Sequence, residues 1–168
     1  TYKGNYLTTE TDALGNSVTY TYDFASGKMM SVTDAKGNVT SYQYDSDDKL
    51  TSVTQGGITV QYGYDSNNQL ATITHNNFTY NFIYDALGRN DQTKIGTRLL
   101  VDNLYCAESG LLKQSVYGNG QKREYEFDNQ YRVKKLIIDN VDRFSYTYDY
   151  EGNLHEVKDL VQNITYKY

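Results

Sequence analysis

One complete unit of a sequence repeat lies in the stretch Tyr22-Asp23-Phe24-Ala25-Ser26-Gly27-Lys28-Met29-Met30-Ser31-Val32-Thr33-Asp34-Ala35-Lys36-Gly37-Asn38-Val39-Thr40-Ser41-Tyr42-Gln43, which leads into Tyr44-Asp45. The first turn signal follows the aromatic residue, because an Asp side chain bonds backbone N–H groups two residues on and Gly supplies the positive φ that closes the loop. The second turn signal is Gly37-Asn38, flanked by residues that favour strands. Turns about every ten residues leave no room for helices, so each unit predicts a β-hairpin.

The aromatic-Asp pair recurs along nearly the whole chain, with steps of 22, 20, 20, 43 and 21 residues. The step of 43 covers two units, because Tyr105-Cys106 lies in its middle with Cys in place of Asp, and Tyr168 follows Tyr148 by 20 residues. The residues of this structural repeat motif are Tyr22, Asp23, Tyr44, Asp45, Tyr64, Asp65, Tyr84, Asp85, Tyr105, Phe127, Asp128, Tyr148, Asp149 and Tyr168. A fixed period of this kind indicates a repeat architecture in which neighbouring units complete each other.

Both turn signals repeat in phase with the aromatic residues. The second turns are Gly15-Asn16, Gly37-Asn38, Gly56-Gly57, Asn76-Asn77, Gly118-Asn119-Gly120 and Asp139-Asn140. The strand that enters each aromatic-Asp pair alternates with period two, as in Val60, Tyr62 and Tyr64. One face of the sheet is therefore expected to be aromatic and the other polar. We expect the aromatic rungs to be buried between adjacent hairpins.

The returning strand departs from strict alternation, since its apolar residues lie three apart, as in Leu50 and Val53 or Leu70 and Ile73. One such pair between two turns is too short for a helix, and the pattern predicts a β-bulge at the same place in every hairpin. Repeated bulges bend a sheet in the same sense each time. The sequence therefore predicts a sheet that coils.

Composition and charge exclude several classes of function. The 168 residues include 19 Tyr and 5 Phe but no Trp and no Pro, and the net charge is −5 with a pI near 4.9. An acidic surface repels phosphate backbones and anionic lipids, so nucleic acid is not an expected partner, and no apolar run reaches the ~18 residues of a membrane span. The single Cys106 cannot form an intrachain disulfide.

The motif Tyr-Asp-x-x-Gly-Asn/Arg-Leu, followed by Val-Thr-Asp-x-x-Gly-Asn-x-Thr-x-Tyr-x-Tyr-Asp, resembles the YD repeat of the Rhs and teneurin family. The closest copies are Thr33 to Asp45 and Tyr148 to Leu154, and the weakest stretch runs from about Gly88 to Gly120. The resemblance implies an all-β fold of tandem antiparallel β-hairpin repeats of 20–22 residues, which form a curved, spiralling section of a YD shell. Residues 1–168 are expected to be a single array of about 7–8 hairpins and a fragment of a larger protein.

The resemblance also implies a non-enzymatic structural role. In bacterial Rhs proteins and Tc-type toxin complexes the shell encloses a toxic polypeptide, and in wall-associated proteins and teneurins it lies at the cell surface, with roles in adhesion and carbohydrate binding. The implied localisation is secreted or at the surface of a bacterium. The implied partners are the rest of the parent shell, a second copy joined through open sheet edges, a toxin cargo or a glycan, and no cofactor is expected. The Pro-containing self-cleavage segment of the family cannot lie within a chain that has no Pro.

Two other functions were compatible with the repeat. A choline- or glucan-binding module is also a Tyr-rich hairpin array, but such modules cage their ligand with Trp, which is absent here. A parallel β-helix enzyme that degrades polysaccharides repeats at a similar length and places paired carboxylates on one face. Two hairpin turns in each unit favour antiparallel hairpins over the parallel coils of that enzyme class.

Several isolated residues are more simply explained by structure than by chemistry. Asp45 to Asp48 could attract calcium but lacks the Gly and Glu of a calcium loop, so a solvated turn is expected. His75, His155 and Cys106 have no neighbouring ligand or base in the sequence, so surface histidines and a free thiol are expected. The aromatic-Asp pairs could stack and bond a sugar, but a pair in every unit is typical of an aromatic ladder with turn-capping Asp. Asn-x-Thr triplets at Asn38, Asn77 and Asn163 arise wherever a turn Asn precedes a strand Thr.

Overall fold

The chain forms only strands and turns in a computed structural model that describes all residues from 1 to 168. The strands, numbered in chain order, are β1 Tyr2–Lys3, β2 Tyr6–Leu7, β3 Thr9–Thr11, β4 Ser17–Asp23, β5 Lys28–Thr33, β6 Val39–Tyr44, β7 Leu50–Gln55, β8 Ile58–Tyr64, β9 Leu70–His75, β10 Phe78–Tyr84, β11 Asn90–Ile95, β12 Arg98–Tyr105, β13 Leu112–Tyr117, β14 Lys122–Phe127, β15 Val133–Ile138, β16 Val141–Tyr148, β17 Leu154–Asp159 and β18 Ile164–Lys167. The predicted fold class, all-β with tandem antiparallel hairpins, is confirmed. No helix is present that could cross a membrane.

The chain divides into two compact units, Thr1–Asn81 and Phe82–Tyr168. In the first unit, β1 and β2 form a small separate hairpin, and the strands from β3 onward pair antiparallel in chain order. In the second unit the strands up to β18 likewise pair antiparallel in chain order. Within each unit the strands of the large sheet pair with their neighbours in the sequence, so the repeat of the sequence is also a repeat of the structure.

The second turns are tight because their residues tolerate the left-handed backbone. Gly56 and Gly57 have φ values of 57° and 78°, and Asn76 and Asn77 have values of 48° and 66°. Positive φ at both central residues defines the hairpin turn whose twist matches that of the strands. The Gly and Asn pairs read from the sequence therefore close the hairpins as predicted.

A β-bulge recurs at the start of six returning strands, β5, β7, β9, β13, β15 and β17, as the apolar spacing predicted. In the β6–β7 pair, Gln43 lies opposite Ser52 and Tyr44 opposite Leu50, so Thr51 is the extra residue. The same shift inserts Ala71 in β9. It also inserts Met30, Lys113, Lys134 and His155 in the other returning strands.

The prediction that the aromatic rungs are buried was wrong, because their side chains are less buried than expected. No hydrophobic side chain of the chain is fully buried, and the aromatic residues that precede the turns are half-buried. Tyr166 and Tyr168 in and after the last strand are 49% and 75% exposed. One layer of sheet cannot cover its own apolar face, and each ring is shielded only by the neighbouring strands.

Candidate functional site: the first-turn edge

The first-turn edge is the side of the sheet formed by the turns that follow each aromatic residue. At this edge the Asp carboxylate closes its own turn. Asp45 Oδ1 accepts hydrogen bonds from the backbone N–H groups of Asp47 and Lys49, each at 2.9 Å. Asp65 accepts from the residues two and four positions on at 2.8 and 2.9 Å. Asp85, Asp128 and Asp149 repeat this turn, and Asp23 caps a turn that is one residue longer. The first-turn Asp therefore acts as a cap in every unit that has one.

These bonds favour the ionised carboxylate. The N–H of Lys49 holds the pKa of Asp45 below its usual range, with help from the N–H of Asp47. The side chain of Arg89 has the largest part in lowering the pKa of Asp85. For Asp149 the largest cause is the side-chain amide of Asn153. A carboxylate that is satisfied in this way is not poised to take or give a proton near neutral pH.

The Tyr hydroxyl at the end of a strand bonds to the backbone of an earlier strand. Tyr64 Oη donates to the carbonyl oxygen of Leu50 at 2.9 Å, and Tyr148 Oη donates to that of Val133 at 2.8 Å. Tyr22, Tyr44 and Tyr105 make the same bond to Leu7, Met29 and Asn90. The acceptor lies in the other strand of the same hairpin, except for Leu7, which lies in β2, two strands before Tyr22. This contact was not foreseen from the sequence.

The accepting carbonyl is available because the strands separate at this edge. The ladder between β7 and β8 ends at the pair of Ser52 with Gln61, whereas Leu50 lies two residues further toward the turn. Leu50 also directly precedes the extra bulge residue. A carbonyl beyond the end of a ladder needs another donor, and the Tyr64 hydroxyl supplies it. In the β15–β16 pair, the ladder likewise ends two residues short of Val133.

A Lys or Arg side chain at the end of one first turn lies over the ring of the Tyr that precedes the next first turn. Lys49 Nζ lies 5.1 Å from the ring centroid of Tyr64, and the Arg89 guanidinium lies 4.3 Å from that of Tyr105. Lys28 covers Tyr44 at 5.1 Å and Arg132 covers Tyr148 at 4.3 Å. Arg89 also pairs with Asp85 at 2.6 Å, so one side chain connects the carboxylate of its own turn to the following ring. The sequence signal for these cations is the Asn/Arg position of the motif, but their contact with the next Tyr was missed.

Three predicted motif positions lack part of this arrangement. Cys106 carries no carboxylate, and its turn is held by a hydrogen bond from the Gly110 N–H to the Cys106 carbonyl at 2.9 Å. Phe127 has no hydroxyl to donate. Tyr168 lies at the last position with a 75% exposed ring. Tyr84 ends β10 at the equivalent place in its own repeat.

The other candidate residues form no chemical cluster. No group of three or more His, Cys, Asp or Glu side chains is arranged to hold a metal ion. In the Asp45 to Asp48 turn the carboxylates form ion pairs with Lys28 and Lys49. His75 lies at the end of β9, His155 is the bulge residue of β17, and Cys106 is a half-exposed free thiol. No buried polar side-chain atom of the molecule lacks a hydrogen-bond partner.

Taken as a site, the first-turn edge connects residues of the chain to one another. The Asp oxygens accept backbone N–H groups, the Tyr hydroxyls donate to the backbone, and one face of each covered ring meets a cation. A sugar platform needs an open ring face and carboxylate oxygens free to accept hydroxyl protons. The arrangement instead satisfies these groups internally, and its chemical effect is to fasten neighbouring strands to each other at this edge.

Comparison with known proteins gives one family match and several solved structures. The RHS Repeat family model matches residues 25–57. The crystal structure of TcdB2-TccC3-Cdc42 aligns with a TM-score of 0.71 and 19% identity over 89% of this chain and 9% of the other. The Photorhabdus luminescens Tc holotoxin pore with a mutant TccC3 aligns with a TM-score of 0.70 and 20% identity, over 90% of this chain and 9% of the other. No curated protein sequence matches the chain.

A third structure, that of TcdB2-TccC3, aligns with a TM-score of 0.54 and 12% identity over 86% of this chain and 12% of the other. At these identities the likeness concerns the fold. The chain spans about a tenth of the length of the solved chains that it matches.

Proposed function

Because the resemblance to the Rhs and YD-repeat family is confirmed by the repeat match and the shared fold, we propose that this chain forms part of the wall of an Rhs-type shell. Its role is structural and non-enzymatic. The observation that carries this proposal is the repeated bond from a Tyr hydroxyl at a strand end to the backbone of an earlier strand, as between Tyr64 and Leu50. A Tyr whose hydroxyl makes this bond has a structural role and does not serve catalysis or ligand binding.

The shell encloses a toxin polypeptide, and the larger protein is secreted or displayed at the surface of a bacterium. The solved relatives support this, since they are Tc toxin structures. The motif residues Tyr22, Asp23, Tyr44, Asp45, Tyr64, Asp65, Tyr84, Asp85, Tyr105, Phe127, Asp128, Tyr148, Asp149 and Tyr168 are the structural repeat positions of a single array over residues 1–168. Further repeats of the parent protein would pair with the exposed edge of β18.

The test uses the complete gene product that contains this chain, imaged by cryo-electron microscopy and digested with a protease. We expect a hollow shell with these residues in its wall and an enclosed polypeptide that resists digestion. A double variant, Tyr64→Ala with Tyr148→Ala, should let the protease reach the enclosed polypeptide, whereas Tyr150→Phe should not, because Tyr150 is wholly exposed. An elongated particle, or an interior open to the protease in the unaltered protein, would contradict the proposal.

The carbohydrate-binding and polysaccharide-degrading alternatives are tested on the chain itself. Incubation with a panel of glycans and on choline resin should give no retention, and a polysaccharide panel should release no reducing ends. Saturable binding that is lost in Tyr64→Ala but kept in Tyr64→Phe would favour a sugar platform instead, because stacking needs the ring and not its hydroxyl.

A further inference from the structure

Two hairpins of this chain have the same backbone but different polar residues. They are Asp23–Tyr44 and Cys106–Phe127, which we call the capped hairpin and the uncapped hairpin. In the capped hairpin Ser31 lies opposite Ser41, and in the uncapped hairpin Gln114 lies opposite Glu124, at the same distance from the hairpin start.

Their turns also agree. Gly27 and Gly110 close the first turns with φ values of 75° and 71°, and Gly37 and Gly120 close the second turns with 84° and 87°. The turn bonds match as well, from the Gly27 N–H to the Asp23 carbonyl at 2.7 Å and from the Gly110 N–H to the Cys106 carbonyl at 2.9 Å. The two hairpins therefore form a natural comparison of side chains on one backbone.

Four polar positions of the capped hairpin are replaced together in the uncapped one. Cys106 stands in the place of Asp23, Leu111 in that of Lys28, Tyr117 in that of Asp34 and Phe127 in that of Tyr44. The neighbouring Ser-Gly pair of the first turn is the same in both, at Ser26-Gly27 and Ser109-Gly110. The two hairpins thus differ in the side chains that fasten the turns and the seam, as well as at strand positions such as Ser31 and Gln114.

The capped hairpin makes several contacts through these positions. Asp23 accepts from the Ala25 N–H at 3.1 Å and the Ser26 hydroxyl at 2.7 Å. Asp34 accepts from the N–H groups of Lys36 and Asn38 and from the Asn38 amide, at 2.8–2.9 Å.

Two more contacts close the seam between β5 and β6. Tyr44 Oη donates to the Met29 carbonyl at 3.0 Å, and Lys28 covers the Tyr44 ring. Both contacts join the start of β5 to the end of β6, where the strand ladder has already ended.

At the exchanged positions the uncapped hairpin makes fewer side-chain contacts, although elsewhere Ser115 donates to the Asn103 side chain and the Lys122 N–H donates to Asp139, each at 2.7 Å. The Leu111 N–H donates to the Ser109 hydroxyl at 3.4 Å, and the Gln121 N–H donates to the Asn119 side chain at 3.0 Å. Arg123 covers the ring of Tyr117 at 5.2 Å. At the end of its β14 strand, the Phe127 ring has no hydroxyl with which to reach the backbone of β13.

From these differences we infer that the uncapped hairpin opens by local unfolding at a lower free energy than the capped hairpin. Segments with fewer fastening contacts open at a lower free energy than the rest of a structure. Opening of β13 and β14 frees the facing edges of β12 and β15, which lie on either side of them in the sheet. A freed strand edge is a template for pairing with another strand.

The test is hydrogen exchange measured by mass spectrometry on the whole chain. A restored variant, Cys106→Asp with Leu111→Lys and Phe127→Tyr, copies Asp23, Lys28 and Tyr44 into the uncapped hairpin. We expect its amides between residues 112 and 127 to exchange at least about tenfold more slowly than in the unaltered chain. The rates in the first unit should not change.

A reversed variant serves as the matched control. Asp23→Cys with Lys28→Leu and Tyr44→Phe should speed exchange between residues 28 and 44 and leave 112–127 unchanged. If the reversed variant does not fold, the restored variant alone decides. Equal rates at 112–127 in the restored and unaltered chains would overturn the inference, and so would an equal slowing throughout the second unit, since that would be a global and not a local effect.

Discussion

Tyr64 offers a direct measure of what fastens the two strands of a hairpin at the first-turn edge. Its hydroxyl bond to the Leu50 carbonyl is 2.9 Å long, and Lys49 lies 5.1 Å from its ring centroid. Tyr64→Phe removes only the hydroxyl and should lower the free energy of unfolding by about 0.5–1.5 kcal/mol. Tyr64→Ala removes the ring as well. Because the ring is half-buried, we expect this variant to lower the free energy of unfolding by about 2–3 kcal/mol in total. Removal of a fully buried aromatic side chain would lower it further.

Urea unfolding followed by circular dichroism measures both changes. Tyr150→Phe is the control, because the side chain of Tyr150 is wholly exposed and should give no change. A double-mutant cycle of Tyr64→Ala with Lys49→Met should give a coupling of about 0.5–1 kcal/mol from the cation over the ring. If Tyr64→Phe is as stable as Tyr150→Phe, the hydroxyl bond does not hold the seam and the reasoning fails.

Three further predictions concern the turns. The pKa of Asp45 is lowered in the folded chain. The stability that this carboxylate contributes should therefore be full above the unfolded carboxyl pKa of about 3.9 and should be lost as the pH falls through the folded pKa. A series of Tm measurements from about pH 7 to about pH 2.5 checks this, and a flat profile would contradict it. Gly57→Ala places a Cβ at a φ of 78° and should cost about 1–2 kcal/mol in urea unfolding, whereas Gly57→Asn should cost less because Asn77 holds the equivalent turn position. A double-mutant cycle of Arg89→Leu with Tyr105→Leu separates the cation over the ring at 4.3 Å from the ion pair of Arg89 with Asp85. The coupling should be about 0.5–1 kcal/mol, and no coupling would show that the ring is not shielded.

Local patterns in the sequence were sufficient to predict the hairpins. The turn pairs such as Gly56-Gly57 specify the turn by themselves, because only residues that tolerate positive φ fit there. The spacing of Leu50 and Val53 predicted the bulge, because an extra residue is needed to bring both onto one face. These features depend on residues that are close together in the chain.

The contacts between strand ends at the first-turn edge could not be predicted in the same way. The bond from Tyr64 to Leu50 exists only because the β7–β8 ladder ends before the turn, and nothing in the local pattern indicates where a ladder stops. The cation of Lys49 meets a ring 15 residues away for the same reason. Burial was also overpredicted, since alternation of aromatic residues indicates which face is apolar but not whether a second layer covers it.

The hydroxyl bonds all run in one direction, from a Tyr to a carbonyl earlier in the chain, as from Tyr148 to Val133. During synthesis from the N-terminus, the accepting carbonyl has therefore already emerged from the ribosome when the Tyr that bonds to it is added. The hairpin made last lacks this bond until the Tyr at the end of its second strand emerges. The array can thus fold in step with translation, with a single unfinished end that moves along the chain as it grows.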